Sequence, residues 1–143
     1  DIQTTKAACK RLVQFPATLI NFVEGSRYTP QKAKLSKSPY SNLLPPKAAS
    51  LGVALSEIGN EVEYIFNTTF YYPDSHGKPF IDMMFGRIKD VYANIEILSK
   101  DQMPKGNYLE DKQFKHDFTM YIRDLWEQKD HLLDKLHEEY KNK

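Results

Sequence analysis

The sequence predicts an α/β fold with a mixed, largely parallel sheet flanked by helices and a long C-terminal amphipathic helix. Three observations carry this. Helical and strand-like stretches alternate along the chain, which is the pattern of a layered α/β domain. The run Thr18-Leu19-Ile20-Asn21-Phe22-Val23 is short, mostly apolar and rich in β-branched or aromatic side chains, in the manner of a buried parallel strand. Between Asp111 and Lys141, apolar residues return at three- and four-residue steps, the period of one helix face.

Asp1 to Gln14 reads as the first helix, with Ala7, Ala8, Arg11 and Leu12 spaced to share a face and Pro16 closing it. The strand Thr18 to Val23 follows. Glu24 to Pro46 is rich in Lys, Ser and Pro and has neither period, so it reads as a long, partly mobile functional loop. Small residues after Pro45-Pro46 open a second helix, Ala48 to Ile58, in which Leu51, Ala54, Leu55 and Ile58 share a side and Gly59 marks the end.

Glu63 to Tyr72 is the next expected strand, Pro73 to Pro79 a turn, and Arg87 to Leu98 a further strand with Ile88, Val91, Ala93, Ile95 and Ile97 mostly in register. The apolar segment between them, Phe80 to Phe85, does not declare a conformation. In the last helix, Phe114, Phe118, Tyr121, Ile122, Leu125, Trp126, Leu132, Leu133, Leu136 and Tyr140 are expected to pack on the sheet.

A chain of 143 residues with 41% apolar side chains is expected to form a single domain spanning 1–143. Twenty basic against nineteen acidic side chains leave a net charge of +1, which argues against the strong basic field of a nucleic-acid binder. No run of about eighteen apolar residues is present, so no membrane-spanning helix is expected within these residues. The single cysteine, Cys9, has no partner for an intrachain disulfide and fits a reducing compartment; it reads as a small packing residue rather than a nucleophile.

The most chemically loaded stretch is Phe22-Val23-Glu24-Gly25-Ser26-Arg27, at the end of the first expected strand, where ligand sites on α/β sheets form. Gly25 permits a turn closed to residues with a Cβ. Arg27 offers a planar, permanently charged fork to a phosphate or carboxylate, and Glu24 can hold a cation or a backbone amide. The plainer alternative is a tight turn with a surface ion pair. Lys47, at the entrance to the second helix after Pro45-Pro46, sits where backbone amides already favour an anion.

Phe22-Val23-Glu24-Gly25-Ser26-Arg27, with Leu43-Leu44-Pro45-Pro46-Lys47-Ala48 behind it, resembles the glycerophospholipid acyltransferase family of lysophosphatidic acid acyltransferase type. The common family form is Phe-Pro-Glu-Gly-Thr-Arg, so Val23 stands for the proline and Ser26 for the threonine. The longer run Phe15 to Thr29, with Ser38-Pro39-Tyr40, is similar to the bacterial inner-membrane branch related to lysocardiolipin acyltransferases.

The resemblance implies transfer of an acyl group from acyl-CoA or acyl carrier protein to a lysophospholipid such as 1-acylglycerol 3-phosphate, with no further cofactor and no metal. Arg27 and Lys47 are implied to hold the acceptor phosphate, Glu24 to organise the loop, Gly25 to shape it, and Ser26 to offer a hydroxyl. It also implies a parent protein at the bacterial inner membrane with this portion facing the cytoplasm.

One departure bears on catalysis. The family carries a His-x-x-x-x-Asp motif upstream, and none of the four histidines here has an aspartate five positions on, nor does any precede Glu24. The expectation is therefore the C-terminal part of the acyltransferase fold, supplying acceptor binding and inactive by itself. The rival expectation is a non-catalytic domain that binds anionic lipid or a protein partner.

Further residues admit plain readings. His131, Asp134, His137 and Glu138 lie on approximately one side of the last helix, a weak metal pattern without a second ligand source. Lys32, Lys34 and Lys37 can gather an anion or simply solvate a loop. Tyr71 and Tyr72 more often end a core strand than touch a substrate.

Overall fold

The computed structural model describes residues 2–12, 14, 17–75 and 77–141. Asp1 and Pro16, at the ends of the first expected helix, and His76, in the expected turn, lie outside them. Five helices and two strands follow in the order α1 (Ile2–Leu12), α2 (Pro30–Leu35), α3 (Ala48–Ile58), β1 (Ile65–Tyr71), α4 (Pro79–Met84), β2 (Tyr92–Leu98) and α5 (Lys112–Lys141), with a short 3-10 turn at Lys100–Gln102.

The sheet differs from expectation. Among the described residues it has two strands, β1 and β2, paired antiparallel from Ile65 opposite Leu98 to Tyr71 opposite Tyr92. A largely parallel sheet is thus not what the chain forms here. The expected strand Thr18 to Val23 has no ladder partner, and a β-strand exists only through pairing with a neighbour. Leu19, Ile20 and Phe22 on that segment are 46%, 73% and 82% exposed, so of its apolar side chains it is Val23 that enters the core.

α5 is the spine. Phe114, Phe118, Ile122, Leu125, Trp126, Leu133 and Leu136 are buried along one side of its 30 residues, at the spacing that the sequence displayed. Asp111 starts it by accepting the backbone N–H of Gln113 and Phe114 at 2.9 and 3.0 Å, a side-chain cap on amides that have no partner within the helix. α5 lies against β1 and α3, and Tyr108 and Phe114 join Phe118 in edge-on and tilted ring contacts at its N-terminal end.

α3 is covered on two sides. Ala48, Val53, Leu51 and Leu55 belong to the main core, while Ala54 and Ile58 meet Cys9 of α1 in a second, smaller cluster. Gly52 is where the Tyr108 ring crosses α3: a Cβ there would stand 2.2 Å from the ring, so only glycine admits the contact. On α1 the expected face is turned outward. Ala7, Ala8 and Arg11 are exposed and Leu12 is half-buried, while among the described side chains of α1 Cys9 is the one buried against α3. Burial and, secondarily, Glu57 push its thiol up from the ordinary range, which fits packing rather than nucleophilic chemistry.

β2 also presents the opposite face from the one its alternation suggests. Ile95 and Ile97 are each 62% exposed, with Phe66 and Phe70 of β1 on the same outer side. The inner side carries Asn94 and Glu96, which with Asn67 and Lys129 line an open groove between sheet and α5. The reason is visible in polar pairing: Asn67 donates to Glu96 at 3.2 Å, and the Lys129 ammonium donates to the Thr68 carbonyl at 2.9 Å. Tyr71 ends β1 in the core, edge-on to His137 and tilted against Tyr140. No helix of the described residues is long and apolar enough to cross a membrane.

Candidate functional site

The turn after the unpaired extended segment is built by its own backbone. Gly25 donates its N–H to the Phe22 carbonyl at 2.8 Å, closing a four-residue turn. Gly25 itself has φ +69°, a left-handed conformation that a side chain disfavours. This turn fixes where Glu24 and Arg27 leave the chain. Val23, between Phe22 and Glu24, is buried in the main core and anchors it.

Lys47 meets this turn from a distant part of the sequence. Its backbone N–H donates to the Val23 carbonyl at 2.8 Å, and its side chain lies over Gly25, with Cδ and Nζ each 3.6 Å from the point a Cβ there would occupy. Two of the sequence-predicted positions are thereby brought into contact. Ser26, Arg27 and Lys47 are all exposed. The Arg27 guanidinium carbon stands 6.0 Å from the centre of the Phe80 ring, a cation over an aromatic face at the edge of α4.

Glu24 turns the other way, into the protein. Burial raises its carboxyl above the ordinary range, while the Leu44 backbone N–H, the Trp126 indole N–H and the Lys129 ammonium each favour the charged form. The Trp126 Nε1 is buried and makes no well-formed hydrogen bond, so the Glu24 carboxylate it faces is its electrostatic partner. Lys129 is pulled below the ordinary lysine range by burial, against the opposing pull of Glu24 and Glu96. Its ammonium also lies over the Trp126 ring at 5.1 Å.

The loop from Glu24 to Pro46 is held by α5. The buried Asp130 carboxylate accepts the backbone N–H groups of Ser41 and Asn42, both at 2.8 Å, and the Asn42 side chain at 3.1 Å; Asp134 accepts that same amide at 2.8 Å. Within the loop, Thr29 caps α2 through the Lys32 N–H, the Lys32 ammonium reaches the Arg27 carbonyl at 3.3 Å, and Ser38 donates to Leu43 at 2.7 Å. Lys34 and Lys37 are exposed.

Sequence reasoning missed Lys129, Asp130 and the approach of Trp126, expected in the core and found there, to Glu24. Asp130 carried a signal, an acidic residue on the apolar side of an amphipathic helix. Of the weak metal pattern, Asp134 is engaged by Asn42, and His137 Nδ1 sits 3.0 Å from the Leu133 carbonyl. No group of three or more His, Cys, Asp or Glu that could hold a metal occurs among the described residues.

The result is an exposed arginine and lysine framing a glycine turn, with a half-buried carboxylate tying that turn to the long helix. A 2-acyl-1-lysophosphatidylinositol acyltransferase of Saccharomyces cerevisiae is 24% identical to the chain over 137 residues, covering 86% of the chain. The likeness is to a lysophospholipid acyltransferase. The chain spans 34% of the yeast enzyme's length, about a third. No protein-family model matches the sequence, and no solved structure matches it.

Proposed function

We propose that this chain is the acceptor-binding part of an acyltransferase that moves a fatty acyl group from acyl-CoA or acyl carrier protein to a lysophospholipid such as 1-acylglycerol 3-phosphate. The observation that carries the reading is the approach of Lys47 to the Gly25 turn, with Arg27 exposed two residues on. The distant likeness to the yeast acyltransferase supports the same reaction class.

In this reading the acceptor phosphate rests against the Arg27 fork and the Lys47 ammonium. Gly25 leaves the turn's backbone open to close approach, and Ser26 adds a hydroxyl. Glu24 does not touch the acceptor; its carboxylate, held by Leu44, Trp126 and Lys129, fixes the turn. Anchoring a phosphate that takes no part in the bond change converts binding energy into orientation of the acceptor hydroxyl toward the thioester carbon. The hydroxyl oxygen attacks that carbon as its proton passes to a base, the carbon–sulfur bond breaks, and the thiolate departs, taking up that proton to become the free thiol.

These residues contain no His-x-x-x-x-Asp element, so the base in this proposal comes from outside them. The same reading puts forward a parent protein at the bacterial inner membrane, with this portion on the cytoplasmic side. The test is transfer of labelled acyl-CoA to lysophosphatidic acid, comparing the chain with a version extended upstream to include His-x-x-x-x-Asp. Activity confined to the extended protein, and lost with Arg27→Ala, is the expected result. Inactivity of a folded, membrane-inserted extended protein toward several lysolipids and with acyl carrier protein would favour a binding domain instead.

A further inference from the structure

We propose that the groove between the two-stranded sheet and α5 is a binding site for a neutral polyol, met either as a free sugar or as the sugar headgroup of a lipid. The inner face of the sheet is apolar at its ends, where Ile65 and Leu98 pack against the main core and Tyr71 lies in it. Between them stand two cross-strand pairs that are wholly polar, Asn67 opposite Glu96 and Thr69 opposite Asn94. From α5, Gln128, Lys129 and Leu132 complete the walls. Six of the eight lining residues are polar, and the groove measures about 450 Å³, within the range of small-molecule sites.

A layer that packs a sheet on a helix ordinarily holds apolar side chains, because an amide or hydroxyl taken from water loses stability unless it is hydrogen-bonded. Thr69 is the sharpest departure. It is 5% exposed, yet its hydroxyl opens on the groove and makes no hydrogen bond among the described residues. The side-chain amides of Asn94 and Gln128 likewise have no hydrogen-bond partner among them. Asn67 donates to Glu96 at 3.2 Å, which holds an amide and a carboxylate side by side. The groove thus offers one space several groups that donate, accept or do both.

Those groups select the ligand. A hydroxyl both donates and accepts, as a carboxamide does, so neighbouring hydroxyls on one molecule can satisfy several of these side chains at once. Charge disfavours the alternatives. Lys129 is the one cation among the lining residues, and its ammonium is already engaged: it donates to the Thr68 carbonyl at 2.9 Å, lies over the Trp126 ring and faces the carboxylates of Glu24 and Glu96. An anion meets no surplus positive charge there, and an organic cation meets Glu96 with Lys129 set against it. Leu132 supplies an apolar strip for the C–H face of a ring. Neither Arg27 nor Lys47 lines the groove, so polyol binding stands independently of acyl transfer.

The test is titration of the isotopically labelled 143-residue chain with glucose, galactose, mannose and sorbitol, followed through its amide NMR signals. At least one polyol should give saturable shifts at the side-chain amides of Asn67, Asn94 and Gln128 and at the backbone of Thr69, with a dissociation constant on the order of 1 mM. Thr69→Val keeps the branched shape and removes the hydroxyl; it should weaken binding by about tenfold, as should Gln128→Met, with the circular dichroism spectrum of both retained. Cyclohexanol, a ring with a single hydroxyl, should give no saturable shift. The hexyl glycoside of the bound sugar separates the two sources: affinity equal to that of the free sugar supports a free polyol, and tighter binding at the same signals supports a lipid headgroup.

Absence of a saturable shift with every polyol overturns the proposal. So do shifts confined to other parts of the chain, an equal response to cyclohexanol, tighter binding of phosphate or tetramethylammonium at the same signals, or unchanged affinity in folded Thr69→Val and Gln128→Met.

Discussion

Lys47 donates its backbone N–H to the carbonyl of Val23 at 2.8 Å, tying the entrance of α3 to the turn that carries Glu24, Gly25 and Arg27. The main chain of the residue that follows the proline pair is thereby fixed beside the turn, and its side chain reaches over Gly25 from there. Substitution of its side chain should therefore remove charge without moving the turn. In a protein extended to include the expected base, Lys47→Ala and Arg27→Ala should each lower transfer by about ten- to a hundredfold, as loss of a charge-assisted phosphate contact does. Urea unfolding should shift by no more than ~0.5 kcal/mol, because both side chains are exposed.

Gly25→Ala should behave differently. The added Cβ meets Lys47 at an ordinary 3.6 Å, so space is not the obstacle; the left-handed φ of +69° is. A loss of about 1–2 kcal/mol is expected from the backbone alone. Gly25→Asn, which tolerates that conformation better, should recover part of it in the same unfolding measurement.

Glu24 gives a pH signature. Burial raises its carboxyl above the ordinary 4.5. Between that value and the raised one, the folded chain binds more protons than the unfolded chain. The contribution of this group is therefore most favourable below 4.5 and declines as pH climbs through the folded value. The difference in unfolding free energy between the chain and Glu24→Gln, followed from about pH 4 to 7, should show that decline. Lys129 has the reverse sign: its folded value lies below 10.5, so its contribution improves as pH rises from the folded value toward 10.5.

Asp130→Ala should loosen the loop without touching the turn's cations. It leaves the Ser41 and Asn42 amides without their 2.8 Å acceptor, a loss of about 1–3 kcal/mol for backbone donors that are only partly reached by water. Faster hydrogen exchange at Ser41 and Asn42, with α5 otherwise protected, is the specific readout.

Trp126→Ala should cost roughly 3–5 kcal/mol, since the ring is 8% exposed in the main cluster. Trp126→Phe separates packing from electrostatics. It keeps most of the ring volume but withdraws the indole N–H from Glu24, so the Glu24-dependent pH decline should shift to higher pH.

The helices were legible because their signals are local. α5 starts one residue after the expected Asp111 and ends at Lys141, and α3 matches Ala48–Ile58, since an apolar stripe and a capping residue need only neighbours along the chain. Strand pairing is not local. Thr18 to Val23 has a strand's composition and no partner, whereas Ile65–Tyr71 and Tyr92–Leu98 pair antiparallel although their sequences do not encode direction. The face of β2 was equally undetermined, because alternation fixes two sides but not which one meets α5.

By itself the sequence determined that α3 and α5 would be helical, through the helical period, whereas the short helices α2 and α4 lie in stretches that carry no such period. Only the tertiary structure decided that Lys47 rests over Gly25, that Glu24 points inward to Trp126 and Lys129, and that α4 turns Asp82 in and its apolar residues out. Those outcomes depend on contacts between residues far apart in the chain, whose energies compete with one another only once the elements have packed.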